Sequence, residues 1–261
     1  MIVIRRFFYI CFALIHKITT VKNGIYVLCY HSISDKGWRF SNSKKEFMKH
    51  ISFIHRNFSF ITPSEFVAYT TAGKKVKKPV FLLTFDDGYK DILTVAKELE
   101  TYSIQPIVFL LGDEENVNRK EMDNKLELLT VDDVRTLISY GWSIGSHSLT
   151  HAQLSKLSRS ELEKECAQSK DDLQRRYGVD VRFFAYPKGI YTKSVIEAVK
   201  KAGYDYAFSM DDDLITFRSH PFTIPRIGID GSHWFPEFKG AITPLAIYFR
   251  RFIRKSLHIS I

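Results

Sequence analysis

Two carboxylates stand side by side, Asp86 and Asp87, in Thr84-Phe85-Asp86-Asp87-Gly88-Tyr89. Adjacent side chains at the end of an extended segment diverge, so one can bind a metal ion while the other takes a proton from water as a general base. Gly88 permits a tight turn, and taken alone the group is an ordinary Asp-Asp-Gly turn. A second segment, His147-Ser148-Leu149-Thr150-His151, sets two imidazoles four residues apart. A helical curl would bring both nitrogens to one ion. With Asp87 they form a two-histidine, one-carboxylate set that leaves positions for water and substrate. In the third segment, Arg182-Phe183-Phe184-Ala185-Tyr186-Pro187-Lys188-Gly189, the proline and glycine bend the chain sharply. Such a turn either aims a backbone N–H at a developing oxyanion or is a βα turn with an aromatic plug.

These segments need elements to hold them, and apolar runs alternate with capped helical patterns along the chain. Strands are predicted at Ile25 to His31, Phe58 to Ile61, Val80 to Phe85, Pro106 to Leu111, Trp142 to Ser146, Arg182 to Tyr186, Tyr204 to Ser209 and Ile224 to Ile229. Helices are predicted after the capping boxes Ser43/Glu46 and Thr62/Glu65, and over Asp91 to Thr101, Thr130 to Tyr140, Ser158 to Tyr177 and Thr192 to Ala202. With no internal repeat and no linker, this order predicts one α/β domain, a barrel or a doubly wound sheet. Each chemical segment then falls at the carboxyl end of a strand, where catalytic groups of parallel α/β folds collect. The polar stretch Gly112 to Leu128 is the one long insertion, of the kind that often serves as a lid or binding loop.

In this order, over residues 25–230, TFDDG, H-S-x-x-H and F-x-Y-P-x-G resemble the polysaccharide deacetylases of the NodB-homology type, carbohydrate esterase family four. The resemblance implies a distorted (β/α)7-8 barrel in a single domain. It also implies a divalent metal, usually Zn2+, held by Asp87, His147 and His151, with Asp86 as the base that activates the attacking water. The oxyanion would be held by the metal and the backbone N–H of Lys188. Two positions depart from the pattern. Ala185 stands where the family often has an arginine facing the catalytic carboxylate, and Arg226 is the candidate substitute. The family's late Leu-x-His is absent after residue 220, but Tyr26-Val27-Leu28-Cys29-Tyr30-His31-Ser32 ends an apolar run in histidine at the other end of the chain. First and last strands of a closed barrel are neighbours, and this start resembles the branch containing the poly-N-acetylglucosamine deacetylases. His31, as imidazolium, would protonate the leaving amine; Asp211-Asp212-Asp213 reads most simply as a solvated turn, the alternative being that a carboxylate there or Asp205 tunes His31. His16, His50, His55, His220, His233 and His258 lack partners at ligand spacing and read as surface or core.

The implied activity is removal of N-acetyl groups from an N-acetylated sugar or polysaccharide. The competing readings are an O-acetyl esterase or other C–N hydrolase on the same scaffold, and a non-catalytic carbohydrate-binding component of glycan assembly. Composition fits a globular chain: 261 residues, 45% hydrophobic, exclude disorder and a disulfide miniprotein. Cys11, Cys29 and Cys166 match no zinc or redox spacing and read as buried small residues in a reducing compartment. The net charge of +9 is unevenly placed. Residues 1–24 hold Arg5, Arg6, Lys17 and Lys22, residues 239–261 hold Lys239, Arg250, Arg251, Arg254 and Lys255, and neither segment holds an acid. The catalytic body, 25–238, is neutral, which argues against a nucleic-acid partner. The apolar run Phe7 to Ile15 is too short to span a bilayer, and the C-terminal segment from Leu245 is a basic amphipathic helix. The first is expected to lie as an interfacial helix on an anionic membrane surface, and the second to dock on the barrel, to contact such a surface, or both. Lack of a cleavage pattern and free cysteines point to the cytoplasmic face of the membrane, with export as the alternative.

Overall fold

Every residue of β1 (Gly24–Tyr30) is buried, a pattern that belongs to a strand covered on both faces. The computed structural model describes residues 2–15, 21–35, 38–72, 76–117, 122, 125–211, 213–215 and 219–257. His16, Lys17, His258, Asp212 and part of the 112–128 insertion lie outside the described residues. The remaining elements are α1 (Ile2–Ile15), β2 (Ser32–Ile33), β3 (Ser41–Asn42), α2 (Lys44–Asn57), β4 (Ser59–Phe60), α3 (Pro63–Thr71), β5 (Pro79–Phe85), α4 (Leu93–Thr101), β6 (Ile107–Leu110), α5 (Val131–Ser139), β7 (Ser143–Ser146), α6 (Arg159–Tyr177), β8 (Phe183–Ala185), α7 (Lys193–Lys201), β9 (Tyr206–Phe208), β10 (Ile227–Gly228), α8 (Phe235–Ala241) and α9 (Pro244–Leu257).

The main sheet is parallel throughout, in the order β10-β1-β5-β6-β7-β8-β9, with β4 beside the first half of β5. Alternation along each strand sorts its side chains to two sides. Ile25, Val27, Leu82, Phe109 and Phe208 fill the inside, and Tyr26, Leu28, Leu83 and Phe85 pack under the helices. Each fully buried side chain of this size contributes about 1.5–3 kcal/mol.

The segment between the last and first strands closes most of the remaining gap. Ile224 pairs with Phe208 of β9, and three residues on Ile227 pairs with Leu28 of β1. Pro225 has no N–H to give, so the expected strand Ile224 to Ile229 is reduced to β10 and one bridge. Arg226, in the middle, is buried. This is the distorted α/β barrel in one domain that the sequence predicts.

Helix starts follow the capping residues. Thr62/Glu65, Thr130/Asp133 and Ser158/Glu161 form complete capping boxes, each worth about 1 kcal/mol. Ser43 caps α2, but Glu46 does not reach back; its carboxylate accepts instead from the N–H of Phe235 at the start of α8.

The two chain ends meet. A Cβ on Gly240 of α8 would lie 1.9 Å from the carbonyl oxygen of Tyr9, so α1 and α8 touch backbone to backbone. Arg5 pairs with Asp230 and Glu237, Arg6 pairs with Glu237, and Arg250 donates to the Tyr9 hydroxyl. The ends therefore dock on the body, and part of their charge is neutralised there. Their outer faces expose apolar side chains beside Arg6 and Arg251. All six exposed large hydrophobic side chains among the described residues, Phe7, Phe8, Leu14, Trp234, Tyr248 and Phe252, lie on α1, on α9 or at the entrance to α8. No helix among the described residues is long and apolar enough to cross a membrane.

Candidate active site

Strand β5 delivers the two carboxylates. The Asp86 N–H donates to the Tyr30 carbonyl at 2.9 Å, locking the end of β5 to β1. Asp87 and Gly88 then take φ of 68° and 70°, and a Cβ on Gly88 would press to 2.7 Å of a Leu110 methyl. The turn diverts Asp87 toward β7. Its Oδ1 lies 3.4 Å from His147 Nε2 and 3.6 Å from His151 Nε2, with all three side chains buried.

The histidines do not converge through a helical curl. Residues 147–151 form a loop in which Ser148 and His151 have φ of 69° and 60°. Such conformations cost of order 1–3 kcal/mol each, and surrounding hydrogen bonds hold them. The Glu165 carboxylate on α6 accepts from the N–H groups of Leu149 and Thr150, both at 3.0 Å, and from the Thr150 hydroxyl at 2.6 Å. His147 Nδ1 meets the Ala185 carbonyl at 2.8 Å. That bond puts the proton on Nδ1 and leaves the Nε2 lone pair toward Asp87.

The donor set fits a metal ion. Asp87 Oδ1 is buried with no hydrogen-bond partner among the described residues, and the three ligand atoms lie within 4.8 Å of one another. Ligands bound at about 2.0–2.2 Å around a tetrahedral ion are spaced about 3.4 Å apart, the separation that Asp87 keeps from His147.

Asp86 faces the other way, into a fork. Arg226 Nη1 donates to its Oδ1 at 2.6 Å and Nη2 to its Oδ2 at 2.7 Å. Nε reaches the Ser209 carbonyl at 3.3 Å, and the guanidinium lies over the Phe109 ring at 5.4 Å. Burial alone would raise the Asp86 carboxyl, but Arg226 overrides it and holds the group well below the usual carboxylate range. The guanidinium that the sequence lacks at Ala185 is thus supplied by Arg226. Arg182 pairs at the surface with Asp205 instead.

His31 follows β1 on the same side of the sheet. Phe40 stacks on its ring at 4.9 Å and Trp38 meets it edge-on at 6.1 Å. Asp91 fixes the next two residues, accepting from the Ser32 hydroxyl at 2.5 Å and the Ile33 N–H at 2.9 Å. Burial pushes the imidazole below its ordinary pKa, opposed by Asp87 and Asp86. Those two carboxylates act on His31, while Asp205 is taken by Arg182 and Asp211 accepts from Ser209 and Tyr191. Lys188 lies in the turn Pro187–Gly189 with φ of 59°, just past the Ala185 carbonyl that anchors His147. Among the described residues five non-glycine positions have positive φ, and four of them, Asp87, Ser148, His151 and Lys188, are candidate site positions or their immediate neighbours.

The other readable histidines are structural or exposed. His50 bonds the Tyr30 hydroxyl at 3.0 Å and stacks on Phe238, and His233 bonds Asp230. Sequence reasoning missed Glu165, whose role is a contact across 15 residues, and Cys29, whose thiol donates to Asp86 Oδ2 at 3.4 Å.

Residues 73–207 match the family model described as polysaccharide deacetylase. The match spans Asp86, Asp87, His147, His151 and Lys188 and leaves His31 and Arg226 outside. The chain is 28% identical over 227 residues to a poly-beta-1,6-N-acetyl-D-glucosamine N-deacetylase of Staphylococcus aureus (strain MRSA252), covering 82% of this chain and 75% of that one. Its fold is similar to the structure of IcaB from Ammonifex degensii, with a TM-score of 0.73 at 21% identity over 85% of this chain and 97% of that one. It is also similar to a Streptococcus pyogenes deacetylase, PplD, solved with acetate, with a TM-score of 0.70 at 21% identity over 82% and 96%.

Proposed function

The chain belongs to the polysaccharide deacetylase family, and from that premise we propose that it is a metal-dependent hydrolase that removes N-acetyl groups from an N-acetylated glycan, releasing acetate and a free amine. The observation that carries this reading is the buried Asp87, His147, His151 triangle with a second, arginine-held carboxylate beside it. Asp87, His147 and His151 would hold a divalent ion, and the nitrogen-rich set favours Zn2+. When bound, the ion lowers the pKa of water and polarises the acetyl carbonyl.

The remaining work falls to the chain's own groups. Asp86, kept ionised by Arg226, accepts the proton of the attacking water. A carboxylate of such low basicity is a weak base, so it functions only on a water already made acidic. His31 delivers a proton to the leaving nitrogen. Because burial keeps it neutral beforehand, it must first gain that proton, and Asp86 lies within 4.8 Å of its ring nitrogen. The N–H of Lys188 is the candidate donor to the oxyanion. Outside the site, the exposed apolar side chains of α1 and α9 support peripheral contact with an anionic membrane surface through 1–24 and 239–261.

The test is acetate release by the zinc-loaded protein from beta-1,6-linked N-acetylglucosamine oligomers, chitooligomers and O-acetylated sugars. Acetate with new amine from an N-acetylated substrate is expected. Release from the O-acetyl sugars alone would make the protein an esterase, and glycan binding without acetate would make it a binding component.

A further inference from the structure

Behind the triangle of Asp87, His147 and His151 lies a second group of ligand atoms. Cys29 Sγ, a His31 ring nitrogen and an Asp86 oxygen are all within 4.8 Å of one another. Cys29 is fully buried and its thiol points at Asp86 Oδ2, 3.4 Å away. A tetrahedral ion with a sulfur ligand at about 2.3 Å and an oxygen ligand at about 2.0–2.2 Å sets the two about 3.5 Å apart. The S–H···O contact thus already has the width of a shared cation.

We propose that Cys29, His31 and Asp86 form a second, weaker site for a soft divalent cation, zinc or cobalt, and that filling it stops turnover. The cation takes the place of the thiol proton between Sγ and Oδ2, and that proton leaves to solvent. Arg226 stays where it is, because each carboxylate oxygen has a second lone pair. Thiolate and imidazole select zinc or cobalt over magnesium or calcium. Two features make the site weaker than the first: the thiol must lose its proton, and the Arg226 guanidinium sits beside the incoming charge. Turnover stops because the ion engages both the base and the acid of the reaction. That consequence rests on the deacetylase reading; the binding does not.

Cobalt titration of the metal-free protein separates the two. The wild-type chain is expected to bind two equivalents, with a thiolate-to-cobalt charge-transfer band in the near ultraviolet growing with the second. Cys29→Ser and Cys29→Ala should each bind one and lack the band, and Asp87→Ala should keep it while losing the first equivalent. In zinc, wild-type acetate release should rise to one equivalent and fall beyond it, while in Cys29→Ser the inhibiting concentration rises at least tenfold. A single equivalent in the wild type, no band, or equal inhibition of Cys29→Ser overturns the proposal. Absence of acetate at every zinc level would count against the deacetylase reading while stoichiometry and band still decide the site.

Discussion

Arg226 grips both oxygens of Asp86, one Nη on each, and neither residue is more than a few per cent exposed. The two are 140 residues apart in the chain and meet because Ile224–Gly228 threads between the last and first strands. Removing one partner of such a pair leaves an uncompensated buried charge, at a cost of about 3–5 kcal/mol. Arg226→Met should therefore lose about that much stability in urea unfolding, and Asp86→Asn combined with it should lose clearly less than the sum of the two single changes. Simple additivity would mean that the pair is not coupled as its geometry requires.

Glu165 supports the histidine loop from outside. Three donors of the loop converge on its carboxylate, and without them the left-handed Ser148 and His151 lose their restraint. Groups that orient metal ligands typically change affinity by about 10–100-fold. Glu165→Ala is expected to weaken zinc binding by at least tenfold in competition with a chelator. Glu165→Gln, which keeps an acceptor oxygen, should fall in between. Wild-type affinity in Glu165→Ala would remove the residue from this role.

What was legible in the sequence divides along physical lines. The grouping of Asp87 with His147 and His151 was legible because few residue types can ligate a metal and their local spacing is fixed by the chain, and Asp86 was legible as the carboxylate beside Asp87. The way the histidines converge was not, since a helical curl and a left-handed loop look alike as letters. Arg226 could be named only as a candidate, because its contact spans the whole barrel. Cys29 read as core filler, and nothing short of the β1–β5 register places its thiol on Asp86. The amphipathic ends were readable as helices, but not that Arg5 and Arg6 would spend their charge on Asp230 and Glu237.

His31 tests the assignment of the acid. An acid positioned on the leaving group contributes about 10²- to 10⁴-fold, so His31→Gln should lower kcat by at least a hundredfold with the zinc content at one equivalent unchanged. Metal analysis and acetate release on the same sample decide this. Full turnover in the variant would end the assignment.

The outer faces of α1 and α9 make a separate prediction. Phe7 and Phe252 are each 65% exposed, so replacing them with serine perturbs no packed contact of the barrel. Phe7→Ser/Phe252→Ser should release the protein from vesicles containing anionic lipid while unfolding at the same temperature. Wild-type binding should weaken as salt rises, because the basic groups act through a screened field. Unchanged sedimentation of the double variant with vesicles would assign these faces to something other than a bilayer.

His50 sets part of the acid limit of the fold. Packed on Phe238 and bonded to Tyr30, it is buried, and burial drives its pKa down to about 3, against about 6.5 in an unfolded chain. Between those values the unfolded chain binds a proton that the folded one refuses, so stability falls as the pH drops through that window. The full slope for one such group is about 1.4 kcal/mol per pH unit, and above pH 6.5 the contribution is constant. His50→Asn keeps a group able to bond the Tyr30 hydroxyl and does not titrate. It should be less stable than the wild type at pH 8, where the stacking on Phe238 is lost, and the gap should narrow steadily toward pH 4. Every other titratable group is common to both proteins, so the difference between the two urea midpoints isolates His50. A gap that stays constant from pH 8 to pH 4 would show that this imidazole is not held neutral by the fold.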